Sequence, residues 1–368
     1  MTPKESLLNN LNWFEKSGIM TPADGSGGVA ERLVVTKNNQ ALEKIDSMFP
    51  LHSEKDGYWI MEHRRADCCF ETALLFLLAG EKLQNSRYRR IGTNILEYLF
   101  EKSGMRHGDY WNWYTPIDRT AYWFDDNGKV AAIEMFLGER YPELEKRFHM
   151  AESGRRLTAK MRDALLRVLK SDAEIKHGRW PDKEFAGEAR QPHWGVPVCI
   201  ALLMTGDVET VKYYFREISG LLEKFGTSEK AYAFLGAAIN CCYTGDEELH
   251  KIARKLFNEL CAAATPDNIL LPSEHCEAPA GGALADLIYT QNWFFAALSL
   301  YPDGINEYRK LRDFLISIQD DSGCWRGMFD TQSNSWGGGN CYEGGAGSIY
   351  SGWTNTVIAL AMLKNLEK

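Results

Sequence analysis

The 368-residue sequence holds no apolar run of membrane-spanning length: its longest weakly charged stretches, such as 231–244, fall short of the ~18 residues a span requires. It has no basic excess either. Lys and Arg number 42 against 50 Asp and Glu, a net charge of −8. That balance excludes a dedicated nucleic-acid binder, which needs a basic face, and gives no pull towards an anionic membrane. The first ten residues, MTPKESLLNN, lack the basic-then-apolar pattern of a secretory signal. Nine cysteines are present, an odd number, with no C-x-x-C spacing. Cys68–Cys69 and Cys241–Cys242 are neighbours that point in different directions on apolar helical stretches, so neither a zinc site nor a disulfide framework is expected. Reduced, mostly buried thiols imply a cytoplasmic protein. There is no H-E-x-x-H and no G-x-S-x-G. The glycine-rich stretch 25–28 lacks the lysine of a phosphate loop, and His177, His193 and His275 belong to separate loops. No metal and no cofactor are therefore expected.

Helical periodicity is what the sequence does contain. Twelve helices are predicted, over 3–17, 61–81, 86–104, 127–141, 152–170, 193–206, 208–224, 228–244, 246–264, 282–300, 303–319 and 353–366. They alternate in composition. The 193–206 stretch has no charged residue and 208–224 has Glu209, Lys212, Arg216, Glu217, Glu223 and Lys224; 282–300 has only Asp286, and 303–319 is again rich in charge. A helix apolar all round is enclosed by others, whereas one with a single apolar stripe lies outside. Connections alternate too, mostly short from inner to outer helix and mostly long from outer to the next inner one. Pairing the charged first helix with the apolar last one closes six hairpins into an all-α (α/α)6 toroid, one domain over residues 1–368. The long loops then share one face, at the N-terminal ends of the inner helices.

This pattern resembles the six-hairpin glycosidase superfamily over essentially the whole chain, and within it the unsaturated glucuronyl hydrolases and related β-glucuronidases. The resemblance implies a glycoside hydrolase. Helical toroids also carry epimerases, lyases and prenyltransferases, so fold alone does not decide function.

Nine of the eleven tryptophans (Trp59, Trp111, Trp113, Trp123, Trp180, Trp194, Trp325, Trp336 and Trp353) fall in the long loops or the first turn after them. Either they pack loops onto the barrel, or they wall an aromatic cleft suited to the apolar faces of sugars. Trp113, Trp123, Trp194 and Trp336 are the candidate platform. Glycosidic cleavage commonly takes two carboxylates on opposite sides of the bond. In Tyr122-Trp123-Phe124-Asp125-Asp126-Asn127-Gly128, one aspartate is free to cap the helix predicted to follow, leaving the other spare. A flanking aromatic environment raises a carboxyl towards general-acid duty. An acidic residue at the top of an inner helix is catalytic in the hydrolases the chain resembles, and Asp126 matches that placement. The partner carboxylate is Asp125, Glu274 or Glu343. Glu274, His275 and Glu277 crowd one another, and Glu343 lies in a glycine-rich loop.

Arg64 and Arg65 either hold a substrate carboxylate or pair with Glu62 and Asp67. Arg119, Arg179 and His193 are further anion-binding candidates, and His193 and His275 complete the expected substrate contacts. The expected partner is a small, uronic-acid-containing oligosaccharide, with no nucleic acid and no membrane. Two rivals stand: an epimerase or polysaccharide lyase using His as base, for which His52, His63, His107, His177, His193 and His275 on the loop face argue, and a non-catalytic glycan-binding protein.

Overall fold

The computed structural model describes residues 1–117, 120–171, 184–273, 284–337 and 345–366. Its long helices are α1 (Pro3–Lys16), α2 (Ala66–Lys82), α3 (Ser86–Glu97), α4 (Phe124–Arg140), α5 (Met150–Leu169), α6 (Pro192–Met204), α7 (Val208–Leu222), α8 (Thr227–Ala238), α9 (Glu247–Ala263), α10 (Gln291–Leu300), α11 (Ile305–Ser317) and α12 (Val357–Lys364). The even-numbered helices touch in the closed order α2, α4, α6, α8, α10, α12 and back to α2. Each packs against an outer helix (α3, α5, α7, α9, α11 and α1 in turn). That is the (α/α)6 toroid, and the alternation of apolar and striped helices is its cause. No described helix is long and apolar enough to cross a membrane, and the seven described cysteines are free thiols.

The structure moves several predicted boundaries. The helix expected from 61 starts at Ala66, because Tyr58–Met61 pairs with Arg32–Val35, and Arg64–Arg65 with Tyr114–Thr115. Short strands the periodicity did not show thus decorate the loop face. The largest sheet joins Ser348–Tyr350, Arg32–Val35, Tyr58–Met61 and His52–Lys55 in that order. The helix expected from 127 starts at Phe124, with Trp123 as its N-cap residue making no side-chain cap. Asp125 and Asp126 therefore lie inside the first turn, and neither is the capping residue. The helix expected over 282–300 begins only at Gln291; Leu284–Asp286 is a strand. The stretch 353–366 is entered through a π-helical turn, Ser351–Thr356, before α12.

The motif 125–128 shows why α4 sits where it does. Asn127 is buried; its Nδ2 donates to the Trp111 carbonyl (3.0 Å) and its Oδ1 accepts from the Trp111 amide (2.9 Å), fixing the loop strand to the helix. Gly128 lets α4 approach α6 backbone to backbone: a Cβ there would lie 2.7 Å from the Val198 nitrogen and 2.8 Å from the Pro197 carbonyl carbon. Gly220, on the outer helix α7, faces open space. Gly128→Val should therefore cost about 3 kcal/mol through overpacking against an immovable backbone. Gly220→Ala should be neutral or gain up to about 1 kcal/mol of helix propensity. Thermal unfolding of the two variants checks the contrast.

Candidate active site

Arg65 ends a two-residue strand at the mouth of α2 and is buried at 6% exposure. Its Nη2 donates to Asp126 Oδ1 at 2.7 Å, its Nε to Asp67 Oδ1 at 3.1 Å and its Nη1 to Glu31 Oε1 at 3.4 Å. The guanidinium lies over the Trp353 ring (4.3 Å) and beneath Trp113 (5.6 Å). Asp67 is the centre of the arrangement. Its Oδ2 also accepts from Lys129 Nζ at 3.1 Å and from Trp353 Nε1 at 2.9 Å. Lys129 reaches Glu71 Oε1 at 3.9 Å and lies over Trp293 (5.4 Å) and Trp353 (5.5 Å).

These contacts sort the carboxyls. Burial opposes ionisation of Asp67, yet Arg65, Lys129 and the Trp353 N–H together hold it well below the usual carboxylate range. Burial pushes Asp126 well above that range; Arg65 opposes the push, and Asp67 and Asp125 add to it. Burial likewise lifts Glu71 to about 7, with Lys129 opposing. One Asp126 oxygen and one Glu71 oxygen have no hydrogen-bond partner among the described residues. Lys129 stays charged despite burial because Asp67, Glu71, Asp125 and Asp126 all surround it.

Asp125 differs from its neighbour. It is half-buried, it interacts electrostatically with Glu71, Lys129, Asp126 and Tyr232, and it makes no hydrogen bond or ion pair among the described residues. Trp123, two residues before it, belongs to an aromatic wall: Trp113 meets Trp123 edge-on at 5.8 Å, and Trp123 stacks with Trp194 at 6.4 Å. Gly187, at φ +104°, passes so close to Trp194 that a Cβ would sit 3.1 Å from the ring. His193, in the first turn of α6, follows the wall. Its Nδ1 is bonded to a Glu229 carboxylate oxygen, and its amide donates to the other at 2.9 Å. Its ring lies 4.1 Å from Trp194 and 6.0 Å from Tyr232.

The tryptophan set thus divides. Trp113, Trp123 and Trp194 form the wall. Trp111 and Trp325 are core residues at 1% and 0% exposure and take the packing alternative: Trp111 packs on Phe70 and Phe100, and Trp325 donates its indole N–H to the Leu315 carbonyl. Trp336 packs edge-on against Phe329 in its own hairpin (5.1 Å), and Trp59 stacks on His52. Arg65 is committed to protein carboxylates. Arg64 pairs with Glu62 (3.1 Å) and donates to the Gly27 carbonyl (2.8 Å). Both arginines therefore take the ion-pair alternative in place of the substrate one. His63 is buried between Phe49 and Tyr114, and His107 bonds Tyr122. Glu274, His275, Glu277, Glu343, Arg119, Arg179, His177 and Trp180 lie outside the described residues.

Sequence reasoning missed Lys129, Glu71 and Glu229. Lys129 is the one lysine of its inner helix, three and four residues after the aspartates, and Glu71 follows Asp67 by one turn. Asp67, Cys68 and Glu71 lie close enough to share a metal ion, but the Lys129 ammonium takes the cation's place between the two carboxylates.

No family model matches the sequence, and no curated protein matches it. Solved structures do match by fold. A D-mannose isomerase aligns with TM-score 0.63 at 12% identity, over 99% of this chain and 97% of that one. An α-1,6-mannanase from Salegentibacter sp. HEL1_6 gives 0.57 at 10% identity, over 99% of each. An unsaturated glucuronyl hydrolase from Bacillus sp. GL1 gives 0.54 at 14%, over 100% of this chain and 96% of that one. The chain has the six-hairpin toroid fold of these enzymes.

Glu71 makes stability pH-dependent. Its carboxyl ordinarily titrates near 4.5 and is held at about 7 in the folded chain. Between those values the folded state keeps a proton that the unfolded chain releases, so this group's contribution to stability falls as pH rises from 4.5 to 7. Glu71→Gln should remove that fall and raise the Tm at pH 8 relative to the parent, by about 1–2 °C for each kcal/mol recovered. Thermal melts at pH 5 and pH 8 measure it; an unchanged pH dependence would contradict the protonated Glu71.

Proposed function

We propose that the protein is a carbohydrate-processing enzyme, and specifically a glycoside hydrolase acting on a small saccharide. The observation that carries the reading is Asp125: a half-buried carboxyl with no hydrogen bond or ion pair among the described residues, two residues after Trp123 of the Trp113–Trp123–Trp194 wall, and next in sequence to a carboxyl that burial pushes well above the usual range. Stacking on the indoles sets a sugar's apolar face, and Asp125 is then free to act as nucleophile or base. Asp126 supplies the proton-bearing neighbour. Its own exposure is 2%, so it reaches substrate only when Arg65 yields or a water intervenes. The mannanase offers a parallel, since a variant with two consecutive aspartates replaced is described as inactive.

A uronic-acid substrate remains part of this reading. Its support now shifts from Arg64 and Arg65, which are spent on protein carboxylates, to Arg119, Arg179 and His275. The membership of Glu274 and Glu343 in the catalytic set belongs to the same proposal.

A second reading rests on His193. A histidine oriented by a carboxylate through Nδ1, its ring on an indole, is arranged as a general base for proton transfer beside a carbonyl, and the D-mannose isomerase shares the fold. Aryl glycosides and unsaturated uronides, assayed beside free aldoses in deuterated water, separate the two. A hydrolase releases aglycone, and Asp125→Asn should lower that rate by about 10²–10⁴-fold with little change in Tm. Near-normal turnover in Asp125→Asn removes Asp125 from the mechanism. Deuterium incorporation at C2 of an aldose, lost in His193→Gln, would instead establish the isomerase or epimerase.

A further inference from the structure

Lys129 is nearly enclosed, its side chain 11% exposed, and no substrate group is needed to explain its position. It takes one oxygen of Asp67, Oδ2, at 3.1 Å. The other, Oδ1, is left to receive Arg65 Nε at 3.1 Å, while Arg65 Nη2 to Oδ2 is long, at 3.5 Å. The guanidinium is thereby turned so that Nη2 meets Asp126 at 2.7 Å. A carboxylate with both oxygens available would draw an arginine into a bidentate pair. Lys129, with Trp353 Nε1 at 2.9 Å, occupies the oxygen that the second arm of such a pair would use, and that arm stays long.

We propose that Lys129 is a positioning residue of the site: through Asp67 it aims Arg65 at Asp126, and so sets how firmly Asp126 holds its proton. The proposal rests on the reading of Asp126 as a working acid, but the chain Lys129–Asp67–Arg65–Asp126 is geometric and can be tested without turnover. The charged and titratable groups facing Asp126 are Arg65 from the strand before α2, Asp67 from α2, and Asp125 and Lys129 from α4. Glu31 holds the far side of Arg65, and Glu71 faces Lys129. Removing Lys129 leaves Oδ2 to Trp353 and Arg65, so Asp67 draws the long second arm of Arg65 closer, and Asp126 loses the Lys129 charge and part of the Arg65 one. Removing the Asp67 charge does the reverse. It deletes a repulsive neighbour and leaves Arg65 to Asp126 and Glu31. The two substitutions should therefore move Asp126 in opposite directions, which a merely structural role for either residue would not do.

The experiment is difference infrared titration of the protein, reading the carboxylic C=O band that disappears in Asp126→Asn. In Lys129→Met the midpoint should rise by about one pH unit or more, a tenfold gain in proton affinity; in Asp67→Asn it should fall; in Lys129→Arg it should stay near the parent value. If the parent hydrolyses a glycoside, the alkaline limb of kcat/KM should follow the same order. Absence of hydrolysis would overturn the functional reading and leave the infrared result standing. Equal midpoints in the parent and Lys129→Met, or shifts of the same sign in Lys129→Met and Asp67→Asn, overturn the positioning role. Should Lys129→Met not fold, Lys129→Gln is titrated in its place, with the same rise expected and an unchanged midpoint overturning the role.

Discussion

Everything at the mouth of this toroid depends on keeping one buried carboxylate ionised. Asp67 sits at the top of the first inner helix with no access to water, where a charge is costly unless several donors converge on it. Arg65, Lys129 and the Trp353 indole supply them from three different parts of the ring. Once that anion is secured, the rest follows. Arg65 acquires a fixed direction, Lys129 stays charged in the interior, and burial pushes the remaining carboxyls Asp126 and Glu71 above the usual range. Acidity at this site is an outcome of competition for two cations.

Asp125 and Asp126 show how adjacent residues acquire unlike chemistry. On a helix, neighbours point about 100° apart. Because α4 begins at Phe124, both fall in its first turn: Asp126 meets Arg65 and is buried, while Asp125 stays half-buried and interacts with Glu71, Lys129 and Tyr232. The tethering of Asn127 to Trp111 and the close approach at Gly128 fix that rotation. A four-residue motif therefore sets both the tilt of a barrel helix and the split in character of its carboxyls. The saccharide-processing reading draws on that split, on the indole wall and on the shared toroid.

The ring was legible in the sequence, because the contrast between 193–206 and 208–224 is a direct record of which helices are enclosed. The aspartate motif was legible for the same reason, standing where an apolar helix begins. Other features were hidden by long-range pairing. Nothing local marks Arg32–Val35 as a strand, since its partners lie at 58–61 and 348–350. Trp111 and Trp325 looked like cleft residues because a loop position says nothing of which way an indole turns. Arg64 and Arg65 looked available to a ligand because sequence offers a cation without its counter-ions; only Glu62 and Asp67, the nearest neighbours, were foreseeable. Lys129 was passed over as one charge on an inner helix, although its spacing from the aspartates was the clue.

The hydrogen bond from Trp353 to Asp67 joins residues 286 positions apart, and Asn355, two residues on, bonds Asn10 across 345. Two such stitches make the ring's closure and the assembly of its charge centre a single event. While the chain is being made, five hairpins can pack in order, each on the last, but Asp67 lacks one of its three donors until the final hairpin arrives. A nascent or nicked ring therefore carries an under-supported buried anion, which favours fraying at the seam over accumulation of a half-built site. Contacts of such sequence separation also make the last step slow. The seam between the first and last helices is where this protein should open first under denaturant.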